Sequence, residues 1–336
     1  MIEKTLLNGL RKIYRVVAHP DFAGNPWPKD EEWETTNLLL TDLFSADKPC
    51  FVGRIGTTEQ AVLVNYITVH SDKSYIRKCI DYITDNTRLP FWDLPRLSED
   101  LCTYSGFFPR GNLKDIEKFA ELYLKDIPTM DVCGRFSYPE KFLPFSKDCK
   151  MVQLESLYPF FAKKPWMKVF EGKKILVIHP FKDTILSQYN LHRRELFHNP
   201  DVLPDFRLEV IRAVQTIAGE KCRFADWFAA LDYMKNEVLK HDFDLLIVGC
   251  GAYGLPLAAF AKSIGKRLYT WAEELSYCLE LRVRGGKSAI MATTCALRNF
   301  LMIIGFIRQK MNGPKMQILL KEGAIGNEKL YAYALC

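Results

Sequence analysis

The segment that constrains this chain most is Asp242 to Lys266, DFDLLIVGCGAYGLPLAAFAKSIGK. A branched apolar run, Leu245 to Val248, stops at Gly249. Gly251 and Gly254 follow, and Leu257, Ala258, Phe260, Ala261 and Ile264 then recur at helical spacing. The pattern predicts a strand, a tight glycine turn and a helix. Such a turn lets backbone N–H groups approach a ligand, and the helix start adds partial positive charge at the same place. A phosphate or pyrophosphate suits that environment, with Gly249, Gly251, Tyr253 and Gly254 as the binding turn. A turn that only packs helix on strand would use the same residues. A dinucleotide fold or an S-adenosylmethionine methyltransferase would carry the motif early, with several βα units after it. Fewer than ninety residues follow Gly249, which argues against both.

A second informative stretch is Cys50 to Glu59, CFVGRIGTTE. A short apolar strand ends in Gly53-Arg54-Ile55-Gly56, and Thr57 or Thr58 is expected to cap a helix beginning near Glu59. Arg54 offers a planar fork for phosphate, and Glu59 a carboxylate one short turn away. A structural Arg54–Glu59 pair at a strand end is the alternative.

The remaining elements follow from periodicity. Ile175 to Ile178 reads as a buried strand that enters a loop at His179-Pro180. Side chains just past a strand's carboxyl end line the crevice of open parallel sheets, which makes His179 a site candidate beside its structural reading. Leu113 to Lys125 reads as a helix capped by Asn112. Val152 to Leu157 and Leu208 to Ala218 read as strands, and Ser187 to Phe197 and Asp226 to Lys240 as helices. Alternating strands and helices predict an α/β fold with a Rossmann-like, mostly parallel sheet that binds its ligand at the strand ends. A helical N-terminal arm over residues 1–48 would pack on an α/β domain over 49–270, with an atypical tail over 271–336.

Composition limits partners more than chemistry. The net charge is +6, and Lys and Arg are spread along the chain, so no nucleic-acid partner is indicated. Weak attraction to anionic lipid or to anionic sugar nucleotides is compatible with that charge. The ten cysteines show no C-x-x-C spacing and read as reduced thiols of a cytoplasmic protein. No apolar run approaches the ~20 residues of a membrane span, so membrane contact is expected to be peripheral, at the inner face.

GRIGTTE at 53–59, YSGFFP at 104–109, VIHPF at 177–181, AVQTIAG at 213–219, WFAALDYM at 227–234 and VGCGAYGLPLAA at 248–259 together resemble one family. They are similar to the GT-D-fold glycosyltransferase-like proteins of bacterial surface-polysaccharide loci, over about residues 50–270. That family carries an Arg-x-Gly-Asp-x-Glu signature whose acids help to hold a divalent metal and the donor's diphosphate. Arg54, Gly56 and Glu59 match it, while Thr57 stands in place of the Asp. A hydroxyl is a poor substitute for a carboxylate toward Mn or Mg. The resemblance therefore leaves two metal arrangements open: Glu59 acting with the substrate's phosphates, or no metal at all. The glycine turn is similar to the family's second loop facing the sugar nucleotide.

What the resemblance implies is transfer of a sugar from a nucleoside-diphosphate donor to a saccharide or lipid-linked saccharide acceptor. Arg54, Gly56 and Thr57 would hold the donor. Glu59 would ligate a metal or the donor, and His179 would act as acid/base or orient the donor. Thr57 in place of Asp also suits a non-catalytic sugar-nucleotide-binding module.

The resemblance stops near Trp271. In another reading frame, permitted codons let Trp271 to Gly286 encode GGGAILLFGIKGKRW, Leu301 to Phe306 encode NDYWV, and Leu319 to Asn327 encode VEGGCYW and a stop. Similar proteins carry such runs in that order. A frameshift near residues 268–271 is therefore expected, with an unselected and functionally impaired tail; a divergent C-terminal subdomain is the alternative.

Overall fold

The computed structural model describes residues 2–18, 33–87, 91–159, 162–216 and 222–270. The expected tail, and with it the out-of-frame runs after Thr270, lies outside the described residues. So do residues 19–32, within the expected N-terminal arm.

The elements in chain order are α1 (Ile2–Ala18), α2 (Trp33–Ser45), β1 (Cys50–Gly53), α3 (Thr57–Val69), α4 (Tyr75–Ile83), α5 (Leu94–Tyr104) and α6 (Leu113–Asp126). There follow β2 (Val132–Arg135), β3 (Lys150–Gln153), β4 (Lys174–His179), α7 (Lys182–Leu196) and β5 (Arg207–Arg212). The described part closes with α8 (Trp227–Val238), β6 (Leu245–Val248), α9 (Gly254–Ser263) and β7 (Arg267–Thr270). Among the described residues no helix is long and apolar enough to cross a membrane.

The seven strands form one sheet in the order β3-β2-β1-β7-β6-β4-β5. Every pairing is parallel. The fold is thus α/β and Rossmann-like, as the alternation of elements predicts. Parallel strands are covered on both faces, which is why β1, β6 and β7 are buried throughout. Alternate side chains go to opposite faces. Phe51, Leu176, Ile178, Leu246, Val248 and Leu268 join a core with α3, α5, α6, α8 and α9. Cys50, Val52, Ile175, Val177, Leu245, Ile247 and Tyr269 join a second core with α2, α7 and the short turns at Leu154–Leu157 and Trp166–Phe170. α2 belongs to this second core through Leu40 and Phe44, so that part of the expected arm is built into the domain.

The connections obey one handedness. Those that step toward β3, β1 to β2 and β6 to β7, run over the first face through α3–α6 and α9. The step from β4 to β5 toward the other edge runs over the second face through α7. Right-handed crossovers require this division. The chain therefore leaves the adjacent strands β4 and β6 in opposite directions, the arrangement in which open parallel sheets form a crevice at the strands' carboxyl ends.

Several element boundaries differ from expectation; α7, for one, starts at Lys182, five residues before the expected Ser187. β3 ends at Gln153, and residues 154–157 turn into a short 3-10 segment. β5 ends at Arg212, not Ala218, because its one partner β4 ends at His179. The last bond of that ladder is Ala213 N–H to His179 O, 3.1 Å.

Candidate functional site

The loop after β1 is held from below. Ile55 is buried, and its carbonyl accepts from Gln60 Nε2 at 2.7 Å. Gln60 is itself fully buried and donates to Glu140 Oε1, 3.1 Å. Glu140 in turn accepts the backbone N–H groups of Phe136 and Ser137 beyond β2. The loops after β1 and β2 are thereby one unit. Arg54 projects from it half-buried, its guanidinium 5.5 Å from the Phe136 ring centroid. Arg54 and Glu59 do not pair, and among the described residues no carboxylate neutralises Arg54. The structural-pair reading of Arg54 is thus not what the fold shows.

α3 starts at Thr57, two residues before the expected start, and Gly56 rather than a threonine hydroxyl is its N-cap. The hydroxyls are used otherwise. Thr58 Oγ1 donates to Glu59 Oε2 at 3.0 Å, and Ser105 Oγ meets Thr58 Oγ1. With the Thr58 proton spent on a carboxylate, Ser105 is the donor, giving a chain Ser105–Thr58–Glu59. Glu59 is buried, and its carboxylate folds back over Gly56 where a Cβ would overlap it. Thr57 stands exposed at the first position of the helix.

Ser105 also joins this loop to the glycine turn. Its carbonyl accepts Ala252 N–H at 3.1 Å and lies 2.9 Å from where a Cβ of Gly251 would be. Gly251 has φ +57°, so both backbone conformation and space require glycine there. From the other side Tyr123 Oη donates to Ala252 O at 2.6 Å; burial, then the Glu59 charge, push its pKa up. Thr270 at the end of β7 accepts Arg54 N–H at 3.2 Å and fills the space beside Gly53. The structure therefore brings Arg54, Gly56, Thr57 and Glu59 together with Gly249, Gly251 and Gly254 across β7. The Tyr253 side chain is elsewhere: it is buried and stacks on Trp227, with centroids 5.0 Å apart and planes 8° from parallel. Only its backbone belongs to the turn.

His179 closes β4 on the far side of β6. It is three strands from β1, or about 14 Å at ordinary strand spacing. Its Nδ1 accepts Phe181 N–H at 3.1 Å, which leaves the proton of the neutral ring on Nε2. Burial lowers its pKa to about 4. His179 and the glycine turn flank the crevice between β4 and β6.

The helices that follow directly on strands share a trait. α3, α7 and α9, which begin just beyond β1, β4 and β6, have no side-chain cap. α4, α6 and α8 are capped by Ser74, Asn112 and Asp226, while α5, which follows no strand, also has no side-chain cap. An uncapped first turn leaves N–H donors open at α3, but fewer at α9, where the N–H groups of Ala252, Tyr253 and Gly254 go to the carbonyls of Ser105, Cys250 and Gly251 and Pro256 has none. Sequence reading found the glycines and Arg54 but missed Ser105, Tyr123 and Gln60, whose roles come from tertiary contacts.

Mn or Mg asks for about six oxygen ligands. Among the described residues no three His, Cys, Asp or Glu side chains stand together, and Glu59 is a lone carboxylate already turned inward. A divalent ion held by Glu59 would therefore have to draw its other ligands from the substrate's phosphates and water. A surface depression of about 220 Å³, lined by Lys174, Arg207, Glu209, Asp242 and Phe243, lies at the opposite, amino edge of the sheet, away from these groups.

No protein-family model, curated protein or solved structure matches the chain.

Proposed function

We propose that the chain is a GT-D-like glycosyltransferase that binds a nucleoside-diphosphate sugar at the carboxyl edge of β1, β7 and β6. The observation that carries this reading is Arg54, without a carboxylate partner among the described residues, beside the uncapped start of α3, which Ser105 ties to the glycine turn. Backbone donors and one unneutralised guanidinium are what a diphosphate requires.

In the proposed reaction the bond between the sugar's anomeric carbon and the β-phosphate oxygen breaks. An acceptor hydroxyl oxygen forms the new bond, its proton passes to solvent or to the departing diphosphate, and the nucleoside diphosphate leaves. Arg54 stabilises the charge that grows on the leaving oxygen. Glu59 holds Thr58 and the start of α3 in place. His179, neutral and protonated on Nε2, orients the donor as a hydrogen-bond donor; a pKa near 4 makes it a poor base at neutral pH.

A second reading, a sugar-nucleotide-binding module without turnover, is favoured by the inward-facing Glu59 carboxylate. Incubation with nucleotide sugars and saccharide or lipid-linked acceptors separates the two. The enzyme releases nucleoside diphosphate only when acceptor is present, whereas a module binds without release. Saturable S-adenosylmethionine binding with no nucleoside-diphosphate binding would overturn both.

A further inference from the structure

The first helix presents its apolar side away from the protein. α1 is joined to α4 and the segment after it by a narrow, largely polar seam. Leu7 is buried there, Arg11 donates to Asp85 Oδ1 at 2.8 Å, and Arg15 pairs with Asp85 Oδ2 at 2.7 Å. The Arg11 guanidinium lies 4.2 Å over the Tyr82 ring. Leu6, Leu10, Ile13 and Val17 occupy the i, i+4, i+7 and i+11 positions of a different stripe, rotated about 100° from the Leu7–Arg11 row. That stripe is open: Ile13 is 61% exposed and Val17 77%. α4 adds a second open row in Ile76, 71% exposed, and Ile80.

Charge decides what can cover these rows. Residues 2–18 and 73–85 hold seven Lys or Arg against three acids, so this small region carries most of the chain's formal +6. A second copy docking through the same surface would bring two positive faces together. An anionic lipid headgroup layer is the complementary partner, and an amphipathic helix with Lys on its polar side is the form that lies in such a layer.

We propose that α1, with α4, docks the protein on an anionic membrane surface, with Leu6, Leu10, Ile13 and Val17 turned toward the acyl chains. The assignment does not depend on the crevice at the sheet's carboxyl edge.

The test is co-sedimentation of the full chain with vesicles of phosphatidylcholine alone and of phosphatidylcholine with phosphatidylglycerol. The wild type is expected to sediment with the anionic vesicles and to be released by salt. The double variant Ile13→Asp/Val17→Asp, whose sites are mostly exposed, is expected to keep its thermal unfolding and lose the vesicles. Lys4→Gln and Lys12→Gln should each weaken binding about fivefold, the effect of one charge near such a surface. Three results would overturn the proposal: a wild type that ignores both vesicle types, a double variant that binds as the wild type does, or a dimer in sedimentation velocity that the double variant dissolves.

Discussion

Two glycines of one turn carry opposite demands. Gly251 has a positive φ and the Ser105 carbonyl 2.9 Å from its absent Cβ, so Gly251→Ala should cost roughly 1–3 kcal/mol in denaturant unfolding. Gly254 is helical, with φ −55°, and a Cβ there meets nothing within 4 Å. Gly254→Ala should therefore leave stability unchanged or raise it by about 0.4–1 kcal/mol. If the start of α9 receives a diphosphate, the same change should weaken nucleotide binding, and titration of the folded variant reads this directly. His179 offers a pH test. Its folded pKa, about 4, lies below the ordinary 6.5, so the unfolded chain binds the extra proton first. Stability on its account is full above pH 6.5 and falls as pH drops toward 4, by up to roughly 3 kcal/mol. Asp126, raised to about 6 by burial, acts oppositely, adding stability at low pH that is lost as pH rises through 6. The comparison that isolates His179 is wild type against His179→Asn: the variant's stability should decline less between pH 7 and 5.

At the level of elements, the turn after β6 rests on an aromatic stack. Trp227 at the start of α8 is buried, parallel to Tyr253 and in contact with Phe107 and Phe119. Trp227→Ala should cost about 3–5 kcal/mol, whereas a surface change such as Asp232→Ala on the same helix should cost little; thermal unfolding of both checks this. The helices α6, α8 and α9 and the buried strands β4 and β6 were legible because uninterrupted apolar runs and 3.6-residue periodicity survive in the sequence. The start of α3 was not. Two threonines looked like caps, but one hydroxyl is drawn to Glu59 and the other faces solvent, and a glycine takes the cap position. The overextension of β5 has a similar origin: residues 213–216 alternate well enough, but the strand that would pair with them has ended. Ser105 lies inside the YSGFFP run at 104–109, but its role could not be found from pattern, since its partners Thr58 and Ala252 are 47 and about 147 residues away.

At the scale of the molecule, strand order converts these fragments into a site. The sequence places β1 and β6 almost two hundred residues apart, and only the insertion of β7 between them sets the Arg54 loop beside the glycine turn. The alternation of strands and helices predicts a parallel sheet, but it does not predict that β7 is central, because that pairing is non-local. The resulting edge joins uncapped helix starts, a half-buried arginine without a carboxylate partner among the described residues, and a buried histidine across the crevice. On the proposed reading this edge binds a nucleoside diphosphate through Arg54 and backbone donors. Isothermal titration of the full chain with UDP and other nucleoside diphosphates, in chelator, tests it most directly. Saturable binding that Arg54→Ala weakens by about 1.5–3 kcal/mol, with Arg54→Lys in between, is the predicted result. Affinity unchanged in a folded Arg54→Ala protein, or no nucleoside-diphosphate binding by the wild type, would contradict the account.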